Sequence, residues 1–179
     1  MAAAKEYPLV IPFCAIMFCD KNLCEVALEF LKNKLGETER ISDYIDFSGK
    51  TDYYDNEMGK NIKKTYIVFK NPIKRESLPL LKLETNEFEE KFAKNGNRRI
   101  NLDPGYITED KLVLASAKDY FHRIAIGNGI FAETTIHFEA NDRIRRFSWT
   151  YADYLTPQVQ ELLVFGRHLA KNERAKKTP

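Results

Sequence analysis

The pair Asn128-Gly129, set between two runs of β-type residues over 120–138, constrains this chain more than any other feature. A two-residue type I′ turn needs positive φ at both central positions, which Asn and Gly tolerate, and its twist suits paired antiparallel strands. A hairpin closed there pairs Gly127 with Ile130, sets Ile124 opposite Glu133, and sets His122 opposite Thr135. Alternation then assigns the faces: His122, Ile124, Ile126, Phe131, Glu133, Thr135 and His137 project to one side, with Phe121, Arg123, Ala125, Ala132, Thr134, Ile136 and Phe138 on the other. Opposed side chains lie about 5 Å apart and diagonal ones about 7–8 Å, so His122, Glu133 and Thr135 are expected to converge. A carboxylate beside an imidazole holds one tautomer, as general acid or base chemistry requires. The competing reading is the polar face of a half-solvated hairpin. Glu133 shares its face with Ile124, Ile126 and Phe131, and a carboxylate on apolar surface needs a partner such as Lys118 or His122. Arg123 points away by alternation; it joins the site only if the pairing carries a bulge or the site spans both faces.

The rest of the chain supplies the frame. Residues 9–19 are a near-continuous apolar run of strand length, suited to a central strand covered on both faces. Asn22 with Glu25 reads as a cap pair for a helix whose inner face carries Leu23, Val26, Ala27, Phe30 and Leu31, and Gly36 ends it. Strands are expected at 40–47, 64–69, 98–102, 111–116 and 143–149, and a second helix at 77–94 closed by Asn95-Gly96. Asp103-Pro104-Gly105 carries a strong turn signal. Thr156-Pro157 reads as a cap followed by Pro at the first turn of a last helix, whose stripe is Val159, Leu162, Leu163 and Leu169. The order strand, helix, strand, strand, helix, strand predicts an α+β single domain over 1–179. Its expected core is a ferredoxin-like βαββαβ unit extended by antiparallel β-hairpin strands and a C-terminal helix. The basic end, 171–179, is expected to fray.

Several function classes fall away. The chain carries 28 basic and 26 acidic residues, well mixed, which gives no strong field for polyanions and makes nucleic acid a weaker partner than a small anionic ligand. Cys14, Cys19 and Cys24 are odd in number and lack metal-ligand spacing, so buried structural thiols are expected and no metal site is assigned. The apolar run near the start is too short to span a bilayer and has no basic leader, so a soluble, cytoplasmic protein is expected. Gly49-Lys50-Thr51 resembles the end of a phosphate-binding loop, but the Gly needed five residues earlier is Tyr44, which argues against a P-loop GTPase.

Thr51 to Gly59, Glu84 to Glu89, Arg99-Ile-Asn101-Leu-Asp103-Pro104-Gly105-Tyr106, Lys111 to Lys118, His122-Arg123-Ile, Gly129 to Thr134 and Trp149-Thr150-Tyr151-Ala-Asp153-Tyr154 together resemble a prokaryotic family, domain of unknown function 4416. The resemblance spans about residues 8 to 170, with Ala152 where Pro is expected. It leaves function open; members sometimes carry a GTP-binding label that the spacing here does not support.

The residues proposed from the sequence are a catalytic set, Asp103, His122 and Glu133, with Asp103 and Glu133 as acid/base groups or metal ligands. Around it stand ligand-binding candidates: Lys118 and Arg123 for an anionic substrate, with Asn101, Tyr106 and Ser116, and two aromatic clusters that could frame the site, Tyr53-Tyr54 with Glu57, and Trp149-Thr-Tyr151-Ala-Asp153-Tyr154. The function expected is a small-ligand or nucleotide-related pocket, with catalysis an open question and the cofactor unspecified. The alternatives are a noncatalytic RNA- or protein-binding module using an aromatic sheet face, and a structural subunit of a larger assembly.

Overall fold

The computed structural model describes residues 6–47, 58 and 61–176. Among them lies one antiparallel sheet of nine strands, covered by helices on both faces. Its elements are β1 (Ile11–Phe18), α1 (Lys21–Leu35), β2 (Thr38–Ile41), β3 (Ile45–Asp46), β4 (Lys63–Phe69), α2 (Leu78–Lys91), β5 (Ile100–Ile107), β6 (Lys111–Ser116), β7 (Ile124–Gly127), β8 (Ile130–Phe138), β9 (Ile144–Arg146) and α3 (Pro157–Ala175). The sheet runs β2-β4-β1-β5-β6-β8-β7, with β3 added to β4 and β9 to β8.

β1 is buried at every position because both of its faces are used, as the unbroken apolar run predicts. Cys14, Ile16 and Phe18 pack under α1 and α2 with Leu23, Leu31, Leu81 and Phe88. Phe13 and Ala15 pack with Tyr66, Val68 and Tyr154 under α3, where Val159, Leu162 and Leu163 seat the helix. Each buried Leu, Ile, Val or Phe among them contributes about 1.5–3 kcal/mol.

Several local expectations are corrected. Asp20 caps α1 by accepting from Asn22 N at 3.0 Å and Leu23 N at 3.4 Å, so the cap lies two residues before the expected Asn22-Glu25 pair. Val26 stays exposed, and Cys19 is exposed, with its thiol donating to Met58 O. The 40–47 strand is two short pieces, β2 and β3, and the 143–149 strand keeps only Ile144–Arg146. Thr156 sits at the α3 cap position, yet its hydroxyl donates to Asp153 O at 2.9 Å instead of capping the helix. Asp103-Pro104-Gly105 is not a turn: it lies inside β5. The β5–β6 ladder begins only at Gly105↔Leu114, so on that side Pro104 is at a free edge, where a missing N–H is tolerated.

The hairpin turn stands where expected, with Asn128 at φ 55 and Gly129 at φ 71, and Gly127 pairs with Ile130. Its register differs. An extra residue at Ile126 slips the ladder, so Ile124 faces Ala132 instead of Glu133 and is exposed. A second bulge sits at Thr135, because Val113 pairs with Thr134 while Leu112 pairs with Ile136. Simple alternation therefore fails along β8, and Ile136 and Phe138 join the core under α3, the layer that also contains Leu114, the partner of Glu133.

Candidate active site

The sheet forks. β5 pairs with β1 along its full length, but with β6 only from Gly105 to Ile107. Beyond Leu114, β6 stays with β8 and leaves β5. Gly105 sits at the branch, where a Cβ would come within 2.2 Å of Val113 O. A side chain there would push the strands apart one pair too early.

A cavity of about 430 Å³ occupies the fork, with Asn101 and Asp103 on the β5 wall and residues 114–118 on the β6 wall. α2 contributes Lys82 and Asn86 from one face of the sheet, while Lys64, Tyr151 and Tyr154 come from the other, so the cavity extends through the sheet. Its described lining holds five basic side chains, Lys64, Lys82, Arg98, Lys118 and Arg123, against two carboxylates, Asp103 and Glu133.

Glu133 is the hub of the β6–β8 wall. Arg123 Nε donates to its Oε2 at 2.7 Å, His122 Nε2 lies 3.0 Å from the same oxygen, and Thr135 Oγ1 donates to Oε1 at 3.1 Å. Arg123 Nη1 donates further to Ser116 Oγ at 2.7 Å and to Lys118 O at 2.9 Å. His122 and Arg123 both reach Glu133 because residues 117–123 are a turn-rich connection, in which strand alternation has no hold. The His122 ring stacks on Trp149 at 4.6 Å, and Trp149 stacks on Phe147 at 4.8 Å. Trp149 Nε1 donates to Thr134 O, which ties this stack to β8.

Two buried ion networks brace the other walls. Lys64 Nζ donates to Asp153 Oδ2 at 2.9 Å, and the Tyr66 hydroxyl donates to the same oxygen. Burial raises the Asp153 pKa, but the charge and hydrogen bond of Lys64, with the Tyr66 hydroxyl, outweigh it and hold the carboxyl below its ordinary value. Under the α2 wall, Lys82 Nζ donates to Leu102 O at 2.7 Å, and Glu89 Oε1 accepts from Leu102 N at 2.7 Å. Burial dominates at Glu89 and raises its pKa, against the pull of Lys82, the Leu102 N–H and Arg98. Arg98 donates to Asn101 Oδ1 at 2.8 Å, and Asn101 Nδ2 donates to Asp103 Oδ2 at 2.9 Å, so the acid on the β5 wall is fixed in orientation.

Of the residues proposed from the sequence, Asn101, Asp103, Ser116, Lys118, Arg123, Glu133 and Tyr151 line one cavity. His122, Trp149 and Asp153 stand behind that lining, positioning Glu133, His122 and Lys64 respectively. Tyr106 is elsewhere, packed with the Val113 and Ala115 cluster near Arg75. Tyr53, Tyr54, Glu57 and the Gly49-Lys50-Thr51 run lie outside the described residues. No group of three or more candidate metal ligands is present among the described residues, and none of their helices is long and apolar enough to cross a membrane.

Tyr154, from the aromatic cluster that begins at Trp149, also lines the cavity, whereas sequence reasoning missed Lys64, Lys82, Asn86 and Arg98. A signal existed for two of them. Lys64 shares its β4 face with Tyr66 and Val68, an inward face by alternation, and Lys82 lies at helical spacing from Leu78, Thr85 and Glu89, on the buried face with Leu81 and Phe88.

A family model described as a domain of unknown function (DUF4416) matches residues 8–169. No curated protein and no solved structure matches the chain.

Proposed function

We propose, for a chain that belongs to the family described as a domain of unknown function (DUF4416), that the fork cavity binds a small anionic ligand of nucleotide-related size and moves a proton on it through Asp103 or Glu133. The basic balance of the cavity carries this reading: five basic side chains against Asp103 and Glu133 in the lining and Asp153 and Glu89 just behind it leave a net positive charge among the described residues. The volume falls in the range of small-molecule sites. Glu133 and Asp103 are the acid/base candidates because both reach the cavity while neighbours fix their orientation. His122 acts as a positioning residue, as its Nε2 is spent on Glu133 and Trp149 holds its ring.

The strand order β2-β4-β1-β5, with α1 and α2 on one face, supports reading the first half as a ferredoxin-like core. A second reading, a noncatalytic protein-binding face, draws on Phe121, just before the edge strand β7, and Ile124, its first residue, which are 90% and 73% exposed.

Calorimetric titration with nucleoside mono- and diphosphates, at low and moderate salt, tests the first reading. Binding to a buried site should respond modestly to salt, whereas RNA held by phosphate contacts should weaken steeply. Glu133→Gln should lower both stability, by about 1–3 kcal/mol from the weakened bonds to Arg123 and His122, and affinity. If the variant matched the parent in both, Glu133 would have no part in the site.

A further inference from the structure

The geometry points to an oxyanion subsite within the cavity, built from Lys64 Nζ and the Tyr154 hydroxyl, which receives one charged oxygen of the ligand. This rests on the anion-binding reading above and adds where the charge sits and what else the ligand must carry.

Lys64 and Tyr154 both line the cavity although they are only 4% and 1% exposed. The ammonium lies over aromatic rings, 5.0 Å from the centre of Tyr154, 5.2 Å from Tyr66, 5.3 Å from Phe47 and 5.9 Å from Tyr151. Lys64 has three N–H donors, of which one is directed to Asp153 at 2.9 Å. The Tyr66 hydroxyl, equally buried, also goes to Asp153. The Tyr154 hydroxyl differs: it is buried and has no hydrogen-bond partner among the described residues. An unpaired buried hydroxyl costs stability, so its presence in a cavity wall calls for a partner that arrives with the ligand. Burial, followed by the nearby Tyr66, Asp103, Asp153 and Glu133, raises the Tyr154 pKa, which keeps the phenol a donor. An ammonium and a neutral phenol on one cavity wall both present hydrogens, and an oxyanion is the group that accepts from both.

The two cavity carboxylates narrow the ligand further. Glu133 is already matched by Arg123, His122 and Thr135. Asp103 is held by Asn101 through Oδ2, and its Oδ1 accepts no hydrogen bond among the described residues. A ligand that satisfies Asp103 Oδ1 carries a hydroxyl or amino donor as well as the oxyanion. The class is therefore a small polyhydroxy or amino compound bearing a phosphate or carboxylate.

The test compares wild type with Tyr154→Phe by calorimetric titration with inorganic phosphate, ribose 5-phosphate and gluconate, and by thermal denaturation without ligand. Tyr154→Phe removes only the unpartnered oxygen, so its Tm should equal or exceed that of wild type. Its affinity for the probe that wild type binds should fall at least about tenfold, the loss of one hydrogen bond to a charged oxygen. Ribose 5-phosphate bound more tightly than phosphate assigns a sugar phosphate, and gluconate bound best assigns a hydroxy acid. Undiminished affinity in Tyr154→Phe overturns the subsite while leaving anion binding elsewhere on the wall intact. A Tm several degrees lower also overturns it, since the hydroxyl would then serve the fold. A wild-type protein that binds none of the three probes overturns the subsite, while the anion reading stands or falls on the nucleoside phosphate titration above.

Discussion

Replacing Asp153 by Asn removes a charge from a pair whose side chains are 1% and 5% exposed, and strands the Lys64 ammonium. Two routes bound the cost. Leaving one partner of a buried pair charged costs about 3–5 kcal/mol. Discharging a lysine at pH 7 instead costs about 4.6 kcal/mol, from 1.36 kcal/mol per unit between a free lysine pKa of about 10.4 and pH 7. Both give a loss near 4 kcal/mol, or a drop in Tm of about 6–20 °C for a domain of this length. Urea unfolding followed by the fluorescence of Trp149 and by circular dichroism measures it, with an unchanged m-value showing that the cooperative unit is intact. The double variant Lys64→Met, Asp153→Asn should recover most of the loss, because the stranded charge is gone. The sign with pH is fixed by the low folded pKa of Asp153. Its contribution is complete above the pKa of a free carboxyl, about 3.9, and disappears as pH falls through the lower folded value. In the single variant, the lysine is destabilised when charged, so the deficit should shrink as pH rises toward about 10. A loss under about 1 kcal/mol, or no recovery in the double variant, would refute the reasoning.

Two further substitutions address the frame around the site. Gly105→Ala places a methyl 2.2 Å from Val113 O, a backbone atom that cannot swing aside; it should cost about 1–3 kcal/mol by overpacking and weaken ligand binding by widening the fork, both read by thermal shift with and without ligand. Replacing Asn128 and Gly129 together by Ala puts Ala at two positive-φ positions, at about 1–2 kcal/mol for Gly129 and less for Asn128, already an L residue there, and should loosen the turn that carries β8 and thus Glu133; amide exchange at Ile130 faster than in the parent is the expected readout.

The parts of the fold legible in the sequence are those governed by local rules. The buried run of β1, the extent of β6 and the left-handed pair Asn128-Gly129 each follow from the residues themselves. What escaped was decided between strands. The bulge at Ile126 lies beside Gly127 at φ 101, a glycine that reads equally well as part of the Asn128-Gly129 turn, and the bulge at Thr135 has no glycine or proline beside it, so the pairing read across β7 and β8 was wrong although the turn was right. Asp103-Pro104-Gly105 carries turn chemistry, yet here Pro104 marks a strand edge and Gly105 a close approach to β6. The convergence of His122 on Glu133 was anticipated for a reason the structure does not use: they meet through a turn at 117–123, not through hairpin register. The same connection brings Arg123 to Glu133, against strict alternation. Lys64 and Lys82 were missed because a buried lysine is rare enough that strand and helix patterns treat it as surface.

The divergence of β5 from β6 has a mechanical consequence. A cleft framed by surface loops can change width while its scaffold stays still, but this one is bounded by two strands of a single sheet, both held in register by their outer neighbours β1 and β8. Widening it means unzipping the three pairs from Gly105 to Ile107, and narrowing it means laying down new ones. The breadth of the opening is thus quantised by strand pairing, and whatever occupies it must fit a gap that changes in steps of one residue.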